Sequence, residues 1–165
     1  MNAIYDNAVR LSEPTADLTQ SMLETIGRWH RQLGRIQVAM SHLKDANYPA
    51  AQEWFGEDVE FELERIAEDA IISLRTLGVE DPASALGVEY ERAAAKHPGM
   101  TLDADGPTDE LRFYALAEEV GEVAASLTYD NTDSTGHNAD TITEVTQVGA
   151  LALAWLAHHQ KGPQA

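Results

Sequence analysis

The sequence predicts an all-α fold, an antiparallel bundle of about five helices, on three observations. Apolar residues recur three or four positions apart over long stretches. Clusters of Gly, Pro, Asn and Asp separate those stretches. The one alternating run, Val145-Thr-Gln-Val148, lies inside a longer Ala- and Leu-rich helical segment, so no strand is expected. With 165 residues, 44% of them hydrophobic, the chain can bury a core without covalent staples.

Each element has its own signals. Residues 1–14 read as a loose leader ending at Pro14. Thr15 and Asp17 can cap a helix running to about Leu43, with Leu18, Met22, Ile26, Trp29, Leu33, Ile36 and Met40 on one stripe. Lys44 to Pro49 is a turn-like break. A second helix is expected from about Glu53 to Leu77, carrying Phe55, Val59, Leu63, Ile66, Ala70 and Leu74, and ended by Gly78, Asp81 and Pro82. Residues 83–96 suit a third, closed by His97-Pro-Gly99, and Met100 to Pro107 form a loop. A fourth starts at Thr108, with Asp109 and Glu110 in the first turn where negative charge suits the helix dipole, and ends near Leu127. The polar stretch from Thr128 to Asn138 is a loop, and a fifth helix follows from about Ala139 to His159. Residues 1–80 thus form an N-terminal helical hairpin that packs on or completes the bundle of residues 81–165, the whole being one compact domain. Trp29, Trp54 and Trp155 fit core positions.

Composition excludes several functions. The absence of cysteine removes disulfides, thiolate zinc sites and cysteine nucleophiles. A net charge of −17 repels nucleic-acid polymers and anionic membranes. A small anionic ligand stays compatible with it if a divalent cation bridges the ligand to carboxylates. No basic stretch leads into an apolar run at the start, and the longest apolar run, Val148 to Ala157, falls far short of the ~20 residues a membrane span needs. A soluble, cytoplasmic protein is the expectation. Zinc-ligand histidine spacing and a Gly-rich phosphate loop do not occur.

The chemistry concentrates on the last two helices. Phe113, Leu116, Ala117, Val120, Val123, Ala124 and Leu127 share one face of the fourth. Glu118, Glu119 and Glu122 line its flank, where like charges repel mildly unless a divalent cation gathers them. In a chain with 28 acidic residues such a flank is ordinarily a solvated face. On the fifth helix, however, Asp140, Glu144 and Gln147 share a stripe with Val148, Leu151 and Trp155. A carboxylate on a buried stripe is costly to desolvate and needs a partner. Two such helices packed antiparallel can converge on a metal. Leu23-Glu-Thr-Ile-Gly-Arg28 also echoes Ala117-Glu-Glu-Val-Gly-Glu122, which chance similarity between amphipathic helices explains better than duplication.

Ala115-Leu-Ala-Glu-Glu-Val-Gly-Glu-Val-Ala124, followed by Glu144-Val-Thr-Gln147 and Leu151-Ala-Leu-Ala-Trp155, resembles the signature of the MazG-like nucleotide pyrophosphohydrolases. That signature has Glu-Glu-x-x-Glu on one helix and Glu-x-x-Asp on the next. The likeness covers roughly residues 86–159. It implies a MazG-like hairpin, Mg²⁺ (or Mn²⁺) held by Glu119, Glu122 and Glu144, and hydrolysis of a nucleoside triphosphate to monophosphate and pyrophosphate, commonly by a homodimer. Glu118 is then a candidate water-orienting base. Gln147 stands where the pattern has Asp and removes one negative charge, which Asp140 is placed to restore. Lys96 and His97, Arg112, Tyr129 and Asn131 are candidate substrate contacts, though helix-end dipole complementation, a surface ion pair and plain loop chemistry also account for them. His158 and His159 suit a helix C-terminus. The rival reading is an inactive bundle of the same kind that binds nucleotide or protein.

Overall fold

A computed structural model describes residues 16–45, 49–128 and 140–161. Among these residues five helices and no strand occur: α1 (Ala16–Asp45), α2 (Pro49–Thr76), α3 (Pro82–Lys96), α4 (Asp109–Thr128) and α5 (Thr141–Gln160). The all-α expectation is met. The leader, Thr15 and most of the loop between α4 and α5 lie outside the described residues.

Helix starts follow from local chemistry. Asp81 caps α3 by accepting from the Ser84 N–H at 3.1 Å, with Pro82 in the first turn. There a missing N–H costs nothing and a fixed φ is already helical. The same logic corrects the predicted start of α2. Pro49 was read as part of a break, yet it is the first residue of the helix. Thr108 accepts from Leu111 N–H at 3.3 Å to open α4. Asp140 accepts from Ile142 N–H at 3.2 Å and opens α5.

Cross-helix contacts show the directions. Arg28 meets Asp69, Arg35 meets Glu62, and His42 stacks on Phe55. Each step of seven along α1 is a step of seven back along α2, so the two run antiparallel with a two-turn repeat. Ser126 near the end of α4 meets Thr141 at the start of α5, 2.9 Å apart. Lys44 at the end of α1 pairs with Glu110 at the start of α4. Helices α1, α2, α5 and α4 therefore form a four-membered ring with antiparallel neighbours, α1 on α4 and α2 on α5 closing it. One continuous core fills this ring, from Trp29 and Ile36 through Leu63 and Ile66 to Leu116, Val120, Val145 and Trp155. Trp54 is a correction: it lies off the α2 stripe and is 63% exposed. No helix among the described residues is long and apolar enough to cross a membrane.

Helix α3 stands outside the ring, leaning mainly on α5. The approach is close at Gly149, where a Cβ would fall 2.7 Å from Leu86 Cδ2 and 3.1 Å from Ala70 Cβ. Glycine suits this point, where α2, α3 and α5 meet, because any side chain would crowd Leu86 and Ala70. Backbones of α3 and α4 do not come within packing distance of each other. They flank α5 as two walls, and the space between them is a groove.

Candidate metal centre

Antiparallel packing of α4 on α5 brings together the acids that the spacing had singled out. One carboxylate oxygen from each of Glu119, Glu122 and Glu144 lies within 4.8 Å of the other two. Glu144 is carried inward because Val145 and Val148 beside it belong to the core, and it is only 4% exposed. Its Oε2 accepts from the Gln147 amide Nε2 at 3.0 Å. Glu119 Oε2 is buried with no hydrogen-bond partner.

The electrostatics follow from that crowding. Burial, and then the charges of Glu122, Glu144 and Glu118, raise the Glu119 pKa to about 8. Burial, and then Glu122, raise that of Glu144 to about 7. Both shifts disfavour the ionised form, as expected for carboxylates facing one another away from water. The donor set fits a hard divalent cation. Oxygens bonded at ~2.0–2.6 Å to one ion stand no more than about 5 Å apart, and the three acids meet that limit.

The groove beside this cluster encloses about 250 Å³. Its floor is Ala150, Leu151 and Ala154 of α5; Glu118 and Glu119 stand on the α4 wall; Arg92, Lys96 and His97 stand on the α3 wall. Met100, Thr101 and Leu102 also line it. The α4 wall is thus acidic, the α3 wall carries two cationic side chains together with Glu89, and the floor is apolar apart from Gln147.

Of the residues singled out from sequence, the structure gathers Glu118, Glu119, Gln147, Lys96 and His97 on this groove, with Glu122 and Glu144 joined to it through Glu119. It separates others. Asp140 caps α5 and is not among the clustered acids. Arg112 is no surface ion pair: 2% exposed, it donates Nε to the Leu102 carbonyl at 2.7 Å, Nη2 to the Ala104 carbonyl at 2.6 Å and Nη1 to Asp109 at 3.0 Å. Its donors hold the segment that ends the groove, so they do not face a ligand there. His159 sits against Trp155 in the last turn of α5, and burial pushes its pKa down, disfavouring its charged form. Tyr129 and Asn131 lie outside the described residues.

Sequence reasoning missed Glu89 and Arg92, both on the groove. Arg92 donates to both Glu89 oxygens, at 2.8 and 2.6 Å. The signal was present as Glu89-x-x-Arg92-x-x-x-Lys96, which places all three on one face of a helix. Comparison with protein-family models, curated proteins and solved structures finds no match for this chain.

Proposed function

We propose that the chain hydrolyses a nucleoside triphosphate to nucleoside monophosphate and pyrophosphate with a bound divalent cation, Mg²⁺ or Mn²⁺. One observation carries the reading: three carboxylates from two helices converge within 4.8 Å beside a groove whose far wall carries Arg92 and Lys96. The MazG-like motif spacing supports it independently.

Glu119, Glu122 and Glu144 would hold the cation, and Gln147 keeps Glu144 oriented through its amide, leaving the amide oxygen as a neutral donor. Bound there, the cation supplies neutralisation of phosphate charge and a more acidic water. The chain's own residues do the rest. Lys96 and His97 face the groove as phosphate contacts, and Ala150, Leu151 and Ala154 offer a flat apolar floor to a base. Glu118, exposed on the acidic wall, is placed to orient water and take its proton as the α-phosphorus is attacked and the bond to the bridging oxygen breaks.

Gln147 in place of the pattern's Asp favours a second reading, a nucleotide-binding module without turnover. A panel of ribo- and deoxyribonucleoside triphosphates, incubated with Mg²⁺ or Mn²⁺ and scored for pyrophosphate, separates them. Release from any substrate supports the hydrolase. Binding of a non-hydrolysable analogue with no release from any triphosphate supports the module.

A further inference from the structure

The α3 wall holds a feature that the reading above does not use. Glu89 and Arg92 are paired through two hydrogen bonds, at 2.6 and 2.8 Å. A pair three apart on a helix is ordinarily a solvated contact of small effect. This one differs in position. The Glu89 side chain is 13% exposed, whereas Arg92 is 53% exposed and faces the groove with Lys96 one turn on. Arg92 is near enough to Glu119 to feel its charge, and Glu89 near enough to Glu144. The pair therefore lies on the groove wall that faces the carboxylate cluster, close enough for the charges of each to act on the other.

We propose that Glu89 and Arg92 form an exchangeable clamp: Arg92 leaves Glu89 for the phosphate oxygens of the incoming ligand, and the released Glu89 turns to the cation held by Glu119, Glu122 and Glu144. The inference rests on the metal-dependent reading given above. Its physical basis is geometric equivalence. A guanidinium fork meets two carboxylate oxygens and two phosphate oxygens in the same planar, bidentate way, so one partner can replace the other with little loss of hydrogen bonding. The exchange also matches charge to need. Before ligand arrives, Arg92 holds both Glu89 oxygens and so offsets part of the negative charge that Glu89 brings toward the cluster. After it arrives, the phosphates bring the negative charge that Arg92 requires, and Glu89 completes the oxygen shell that a hard cation demands. Glu89 and Arg92 are positioning residues in this scheme, acting through ligand and cation placement.

Calorimetric titration of the whole chain tests it, first with Mn²⁺ alone and then with Mn²⁺ plus an α,β-methylene nucleoside triphosphate. Arg92→Gln is expected to tighten Mn²⁺ alone by roughly 3- to 10-fold and to weaken the analogue by about 10-fold or more. Arg92→Lys, which keeps the charge and loses the fork, should weaken the analogue by a smaller factor. Glu89→Gln should leave Mn²⁺ alone within about threefold and weaken Mn²⁺ about 10-fold once the analogue is present. If wild type binds Mn²⁺ but Arg92→Gln changes neither affinity, or loosens Mn²⁺ alone, the pair is only a helix-surface contact and the clamp is wrong. If wild type binds no Mn²⁺, the metal-dependent reading fails and the clamp falls with it, a different and separately visible result.

Discussion

The two helical hairpins, α1–α2 and α4–α5, bury acids in opposite ways. Glu62 of α2 is 5% exposed and Glu144 of α5 is 4% exposed, nearly the same depth. Glu62 meets Arg35 at 2.9 Å, and nearby Asp69 meets Arg28 at 3.1 Å. Glu144 meets two further carboxylates. The local sequences make the contrast sharper. In the echo between Leu23–Arg28 and Ala117–Glu122, Thr25 stands where Glu119 stands and Arg28 where Glu122 stands. Arg28 in fact donates to both Thr25 and Asp69. The first hairpin gives each of these acids a cationic partner, although Glu62 Oε2 is buried without a hydrogen bond. The other crowds carboxylates in a partly buried place with no cation among them, which disfavours their ionised forms unless something positive arrives.

Opposite signs under substitution are the way to break that comparison. The largest effect is expected at the acidic cluster. Glu122→Gln or Glu144→Gln should weaken Mn²⁺ binding by about 100-fold or more and stop any turnover, while raising the thermal midpoint without metal. Glu122→Arg, which imports the chemistry of Arg28, should do the same more strongly. Titration and thermal melts check both, and a variant that unfolds would mean the carboxylate holds the fold together. The first hairpin should respond in reverse. Arg35→Ala leaves Glu62 buried without its partner and should cost about 1–2 kcal/mol, at the low end because Arg35 itself is largely exposed.

Acidity gives the next test. Glu119 and Glu144 have pKa values raised to about 8 and about 7. The folded chain therefore holds protons that the unfolded chain releases near the ordinary glutamate range. That contribution to stability is complete at low pH and is lost as pH rises through those two values. Without divalent ions the thermal midpoint should fall by several degrees between about pH 5 and pH 8.5. Added Mg²⁺ should flatten the fall, and a flat profile without metal would remove the repulsion from the account. The smallest effects separate Gln147 from Asp140. Gln147→Asp should tighten Mn²⁺ several-fold. Asp140→Ala should cost about 1 kcal/mol through loss of the α5 cap and leave metal affinity unchanged.

Much of this was legible from periodicity. The stripes of α1, α2, α4 and α5 supply most of the core as read, because helical spacing decides which side chains can share a face; Phe55 is the exception, half-buried and stacked on His42 outside the core, and the side chain of Leu18 lies outside the described residues. Spacing put acids on facing flanks of α4 and α5, and the MazG-like resemblance singled out Glu119, Glu122 and Glu144 among them, the three that the structure brings together. What escaped was tertiary. Arg112 is consumed by carbonyls of Leu102 and Ala104, partners that no spacing rule reveals. Glu89 and Arg92 were passed over because nothing in the sequence of α3 itself says that it walls a groove. Asp140 shared a face with Glu144 by count, yet as the residue before the first turn its carboxylate turns back to the Ile142 N–H. Trp54 sits one position from the stripe residue Phe55, a rotation of ~100° that takes it to solvent.

The seat of Leu86 on Gly149 has a mechanical consequence. From that contact to Lys96 is ten residues of rigid helix, a length of about 15 Å. Gly149 lies beside Ala150 of the groove floor. A methyl group added there would crowd Leu86 Cδ2 and Ala70 Cβ, so α3 seats as near α5 as it does because this position carries no side chain. The spacing of α3 from α5, and with it the width of the groove that α3 and α4 flank, is thus set in part by a glycine that does not line the groove.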